Sequence, residues 1–193
     1  MKNKELYNEI LKSFDNSAKV VIDSKKLEKE ICSAINTIIR CLKKNRKIVL
    51  FGNGGSAADA QHMAAEFIGR YQIERKSIPA ISLTTDSSII TALGNDYQFK
   101  EIFSRQCESL VERGDVVIAI STSGNSENVI KGAQVSKKNG AFVIGLTGGN
   151  GGKLRTNVDL LIKIPAKETP RIQEGHRIVI HTICELVERH FME

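Results

Sequence analysis

From Lys47 onward the chain alternates short apolar runs with segments of helical periodicity, and this leaves it little choice of architecture. The runs at residues 48–51, 80–83, 116–120, 142–146 and 160–164 have the near-continuous apolar character of strands buried on both faces. Between and after them the spacing of apolar residues predicts helices over 57–68, 88–93, 100–111 and 128–138, and a long last helix over 171–191. Strands that alternate with helices build a parallel sheet covered by helices on both faces, and ligands collect beyond the carboxyl ends of such strands. The expected class is therefore α/β, a three-layer sandwich on a five-stranded parallel sheet.

Upstream, Leu6, Ile10 and Phe14 recur at four-residue spacing, and Leu27, Ile31, Ile35, Ile38, Ile39 and Leu42 continue that stripe after Asp23-Ser24. Two amphipathic helices should precede the sheet. With 193 residues, 41% of them apolar, one core is expected, divided into an N-terminal helical segment (1–46) and an α/β core (47–193). Residues 1–47 hold 12 Lys/Arg against 6 Asp/Glu, whereas 48–193 hold 16 against 16, so the formal charge of +6 resides in the first segment. Its lysines alternate with an apolar stripe and lack neighbouring aromatics, the pattern of a solvated helix face and not of a nucleic-acid partner surface. No apolar run approaches the ~18 residues of a membrane span, and a cytoplasmic protein is expected. The four cysteines form no C-x-x-C pair and read as reduced thiols. The run from Gly148 to Gly152 should be a mobile loop.

Two turns stand out. Gly52-Asn53-Gly54-Gly55-Ser56 follows the first run and Ser121-Thr122-Ser123-Gly124-Asn125-Ser126 the third, each opening into a helix. Glycines let the backbone approach a ligand, and the first N–H groups and the dipole of a helix favour an anion there. The hydroxyls of Ser121, Thr122, Ser123 and Ser126 add uncharged donors, so phosphate is the natural guest. A bland reading makes Ser126 merely an N-cap. Gly52, Gly54 and Ala57 also satisfy G-x-G-x-x-A, but no acidic residue falls cleanly about 20 positions on, as a dinucleotide fold requires. No G-x-x-x-x-G-K-[ST] is present, which argues against a P-loop nucleotidase.

Side chains able to do chemistry cluster on two helices. His62 and Glu66 are four apart and share a face. On the last helix Gln173, Arg177 and His181 lie at four-residue intervals, opposite Ile172, Ile178, Val179, Ile183, Leu186 and Val187. From periodicity alone, a histidine here suits a satisfied core position as well as a functional one.

Together F-G-N-G-G-S from Phe51, D-A-Q-H-M-A-A-E from Asp59, G-N-D from Gly94, S-T-S-G-N-S from Ser121 and R-I-Q-E-G-H from Arg171 with Ile180-His181 resemble the phosphoheptose isomerases of the sugar-isomerase (SIS) domain class. The resemblance spans nearly the whole chain. It implies an N-terminal helical extension used in tetramer assembly, active sites between subunits, and conversion of sedoheptulose 7-phosphate to D-glycero-D-manno-heptose 7-phosphate for surface glycans such as lipopolysaccharide or capsule. It further implies Glu66 as base and His181 as acid, phosphate on Ser121, Thr122, Ser123 and Ser126, and sugar contacts from Asn53, Gly54, Gly55, Ser56, Glu66, Asn95, Asp96 and Gln173. Some members hold zinc through residues matching His62, Glu66, Gln173 and His181. Gln173 and His181 are about 12 Å apart along a straight helix, so sharing one ion requires both side chains to lean inward or two subunits to contribute. Relatives that bind the replication initiator DnaA as tetrameric scaffolds share the turns but lack the acid/base pair, and a sugar-phosphate sensor would bind without turnover. Glu66 and His181 favour the enzyme.

Overall fold

Each of the five apolar runs forms a strand in the structure, a computed structural model that describes residues 3–192. The strands are β1 (Ile48–Gly52), β2 (Ala80–Ser82), β3 (Val116–Ile120), β4 (Phe142–Gly148) and β5 (Leu160–Ile164). All pair in parallel, in the order β2-β1-β3-β4-β5. The chain leaves β1 toward one edge to make β2 and returns to β1's other side to make β3. The strand order thus reverses between β1 and β3, and a crevice opens where their carboxyl ends diverge.

The helices are α1 (Asn3–Asp23), α2 (Glu28–Lys43), α3 (Gly55–Ile68), α4 (Ser87–Asp96), α5 (Ser104–Leu110), α6 (Glu127–Lys138) and α7 (Thr169–His190), with a 3-10 turn over Ser24–Leu27 where the sequence breaks the first two. Strand side chains alternate between faces. Ile48, Leu50, Ile118 and Ile120 meet Ile38 of α2, Met63 and Phe67 of α3, and Ile180, Ile183 and Val187 of α7. Val49, Phe51, Val117 and Val143 meet Cys107 of α5 and Val129 and Ala133 of α6. Phe51 stacks on Phe103 at 5.0 Å between ring centroids. Full burial of side chains of this size contributes about 1.5–3 kcal/mol each.

Two expectations are corrected. The helix predicted over 100–111 is a 3-10 turn at Phe99–Glu101 followed by α5. The Ser104 hydroxyl lies 3.1 Å from the Glu101 carbonyl and 2.7 Å from its carboxylate, a local bond that competes with regular helix. The glycine run after β4 is tied down: Gly149 N–H donates to Ala166, and Leu154 N–H to the Gly124 carbonyl. By contrast α1 buries only Val20, leaving Leu6 and Phe14 of its stripe 44% and 73% exposed. Among the described residues no helix is long and apolar enough to cross a membrane. Cys41, Cys107 and Cys184 are buried, Cys32 is exposed, and all are free thiols.

His176 is the core histidine of α7. It is fully buried, with Nε2 3.1 Å from the Thr147 carbonyl, and Nδ1 lacks a partner. Burial pushes its imidazole down to about 4. The unfolded chain therefore binds a proton near pH 6.5 that the folded chain refuses until about pH 4. Stability should be intact above pH 6.5 and fall on acidification through that window by on the order of 3 kcal/mol. Urea unfolding of wild type and His176→Gln between pH 7 and 4 checks this; the variant should show the shallower decline.

Candidate active site

The two sequence-marked turns sit side by side at the carboxyl ends of β1 and β3. In the first, Gly54 adopts φ 55°, ψ −121°, a left-handed backbone that favours glycine, and its carbonyl accepts from Ala57 and Ala58 N–H as α3 begins. Ser56 is buried in the first turn of α3. In the second, Gly124 has φ 66° and lies so close to the Gly151 carbonyl that a Cβ could not fit. Asn53 and Asn128 exchange two amide hydrogen bonds of 2.8 Å and lash the turns together. Asn128, 2% exposed, was not singled out from the sequence, and an ordinary asparagine one residue inside a helix gives no signal to find it.

Ser126 is at the N-cap of α6, yet its hydroxyl makes no cap bond; it faces Ser121 Oγ at 3.1 Å. The capping account of this serine fails. Ser121 Oγ accepts from Gly124 N–H (3.2 Å) and Ser123 Oγ from Asn125 N–H (3.1 Å), which fixes the turn. A cleft of about 680 Å³ opens alongside, lined by Thr122, Ser123, Gly149, Asn150, Lys167 and Ile172. Lys167, also not anticipated, is the cation of that cleft. The cleft excludes His62, Glu66 and His181, which lie along the neighbouring seam between α3 and α7.

Along that seam the helices run parallel and in register. The Gln173 amide packs on Gly55. Arg177 Nη2 lies 2.9 Å from the buried Asp59 Oδ1. His181 Nε2 meets His62 Nε2 at 2.8 Å, and Glu66 Oε1 is 3.4 Å from the same His62 nitrogen. A bond between two ring nitrogens requires one protonated and one bare, an arrangement able to pass a proton. Burial holds the His62 imidazole below its usual range, and the Arg177 charge acts in the same direction while Glu66 opposes it. Burial pushes the Asp59 carboxyl up against the pull of Arg177 and His181. The Tyr71 ring lies 5.6 Å from that of His181.

Three of the four implied metal ligands thus converge, and Gln173 sits about two turns away, against Gly55. Among the described residues no three His, Cys, Asp or Glu side chains form a ready-made metal cage. The donor types still suit zinc, whose tetrahedral bonds place ligand atoms about 3.3 Å apart. Asn95 and Asp96 end α4, exposed and hydrogen-bonded to each other at 2.9 Å.

The SIS domain family profile matches residues 13–148. A phosphoheptose isomerase of Pelobacter propionicus is 53% identical over 152 residues, which cover 79% of this chain and 80% of the relative. Solved phosphoheptose isomerases from Neisseria gonorrhoeae (40% identity, TM-score 0.90) and Francisella tularensis (32%, 0.92) superpose on 95% of the chain and on 99% and 98% of their own lengths. The chain belongs to the phosphoheptose isomerases of the SIS domain family. Membership makes it an isomerase, and the two turns and the α3–α7 seam are its candidate phosphate and proton-transfer sites.

Because the Ser126 hydroxyl is not spent on capping, Ser126→Ala should cost less than about 0.5 kcal/mol in urea unfolding, below the ~1 kcal/mol of a lost cap. Calorimetric titration with sedoheptulose 7-phosphate should nevertheless show affinity lowered roughly tenfold or more, the size of a lost hydrogen bond to a charged group.

Proposed function

We infer that the chain interconverts D-sedoheptulose 7-phosphate and D-glycero-D-manno-heptose 7-phosphate through an enediol. The observation that carries this reading is the contact between a carboxylate and two histidines from separate helices, beside a turn with four hydroxyls. The phosphate occupies Ser121, Thr122, Ser123 and Ser126, with the N-terminus of α6 and Lys167 supplying positive potential. Gly54, Gly55, Ser56 and Gln173 bracket the sugar chain, while Asn53, engaged with Asn128, holds the crevice open at its phosphate end.

Glu66 removes a proton from C1 of the ketose and returns it to C2. His181 protonates the oxygen on C2 and accepts the proton leaving the oxygen on C1, with His62 as its hydrogen-bonded reserve. Atoms and charge balance, because one proton moves between carbons and one between oxygens. His62, Glu66 and His181, joined by Gln173 if its amide swings over, would hold a zinc ion. Such an ion supplies Lewis acidity that polarises a carbonyl oxygen, at some cost to Glu66 basicity.

The apolar stripe left exposed on α1 supports assembly into a homotetramer through the N-terminal helices, with Asn95 and Asp96 available to a neighbouring subunit's site. A cytoplasmic enzyme that feeds lipopolysaccharide or capsule synthesis fits this reading.

In deuterated buffer, wild type should give heptose 7-phosphate carrying deuterium at C2 by NMR, and Glu66→Gln and His181→Ala should each turn over roughly 10²–10⁴-fold more slowly, the range of a lost general acid or base. Binding without exchange or product would move the chain to the sensor or scaffold class. Sedimentation of Phe14→Glu should show a smaller species than wild type; an unchanged species would remove α1 from the assembly.

A further inference from the structure

Below the proton-transfer site, away from the phosphate turns, lies an ion pair with no direct part in the chemistry. Arg75, in the segment between α3 and β2, and Glu188, near the end of α7, have side chains 2% and 1% exposed. Arg75 Nη2 donates to the Glu66 carbonyl at 2.8 Å, and Nη1 to those of Phe67 (2.8 Å), Gly69 (3.2 Å) and Lys76 (3.1 Å). Its Nε lies 3.2 Å from Glu188 Oε1, an ion-pair distance without hydrogen-bond alignment. The Glu188 carboxylate accepts from Tyr71 N–H (2.8 Å), Gln72 N–H (2.7 Å) and Ile73 N–H (3.0 Å).

The last carbonyls of a helix have no intrahelical donor, and a cation there also suits the dipole. Arg75 meets both needs for α3, and of the two carbonyls it holds at 2.8 Å one belongs to Glu66, the proposed base. Glu188 lies two turns beyond His181, the proposed acid, on the same helix. The three N–H groups that Glu188 binds fix the backbone of Tyr71, whose ring flanks His181. One buried pair therefore sets the base's helix end against the acid's helix.

Apolar side chains of the same volume would join two helices without the desolvation cost of two charges. What the ion pair adds is direction, since the planar fork of Arg75 holds the carbonyls at the end of α3 while the carboxylate beside its Nε holds three successive N–H groups from Tyr71 to Ile73. We propose that Arg75 and Glu188 are a positioning pair for proton transfer, holding Glu66, His62 and His181 in register. This rests on the isomerase reading above.

The test uses two variants, Glu188→Gln, which keeps shape and removes charge, and Arg75→Lys, which keeps charge and removes the fork. Both are compared with wild type by steady-state kinetics on sedoheptulose 7-phosphate and by long-range proton–nitrogen NMR of the histidine rings without sugar. In variants with wild-type circular dichroism, kcat should fall roughly 10- to 100-fold, as for a displacement of about 1 Å, while KM stays within about twofold. The ring resonances of His62 and His181 should shift and those of buried His176 should not. Unchanged kcat, or lowered kcat with the His62 and His181 resonances unmoved, would overturn the proposal. Unfolding of both variants would overturn it too, by showing that the pair supports the whole fold and not the site. If wild type fails to turn the sugar over, the isomerase reading fails while the ring spectra still decide the positioning.

Discussion

Parallel, in-register packing of α3 against α7 is the constraint on which the rest of the site depends. One helix comes from the first strand-to-helix turn and the other from the end of the chain. Their seam carries a ladder of polar rungs: Gly55 with Gln173, Asp59 with Arg177, His62 with His181, and the residues just past α3 with Glu188. Polar side chains are tolerated there because each rung satisfies much of what the other desolvates. One exception is Asp59 Oδ2, buried without a partner while Oδ1 pairs with Arg177.

The sheet makes this seam possible. Its order returns the chain to the centre after β2, so the turns after β1 and β3 become neighbours. The reciprocal amide bonds of Asn53 and Asn128 then fix their separation. The two ends of the site do different electrostatic work. The end formed by the Ser121–Ser126 turn offers hydroxyls, helix N–H groups and Lys167, which suit a dianion, whereas the α3–α7 end offers groups able to exchange protons. A sugar phosphate would match both kinds of environment, and a bare anion or a neutral sugar would engage only one.

Much of this was legible because the relevant signals are local. Strand runs, turn glycines and hydroxyls are dictated by neighbours in the chain, and each of the five strands falls within a few residues of its expected place. Helix spacing also put His62 with Glu66, and Gln173 with His181, on common faces. Periodicity failed where a local hydrogen bond outweighed it, as Ser104 did in dividing the helix predicted over 100–111. Glycine content pointed to a mobile loop over 148–152, where Gly148 and Gly149 N–H in fact donate to the Thr122 and Ala166 carbonyls, partners distant in sequence.

The sequence by itself determined the fold class, the two anion-suited turns and the identity of the groups able to move protons, because each follows from periodicity or from side-chain chemistry. Resemblance pointed to His181, but only the tertiary structure showed what separates it physically from His176. His176 and His181 stand five residues apart on one helix among similar neighbours, yet the first is sealed against Thr147 and the second faces His62. The pairings of Arg75 with Glu188 and of Asn53 with Asn128 were likewise beyond the sequence. They join residues 113 and 75 positions apart, and such contacts exist only once the sheet has brought its crossovers together.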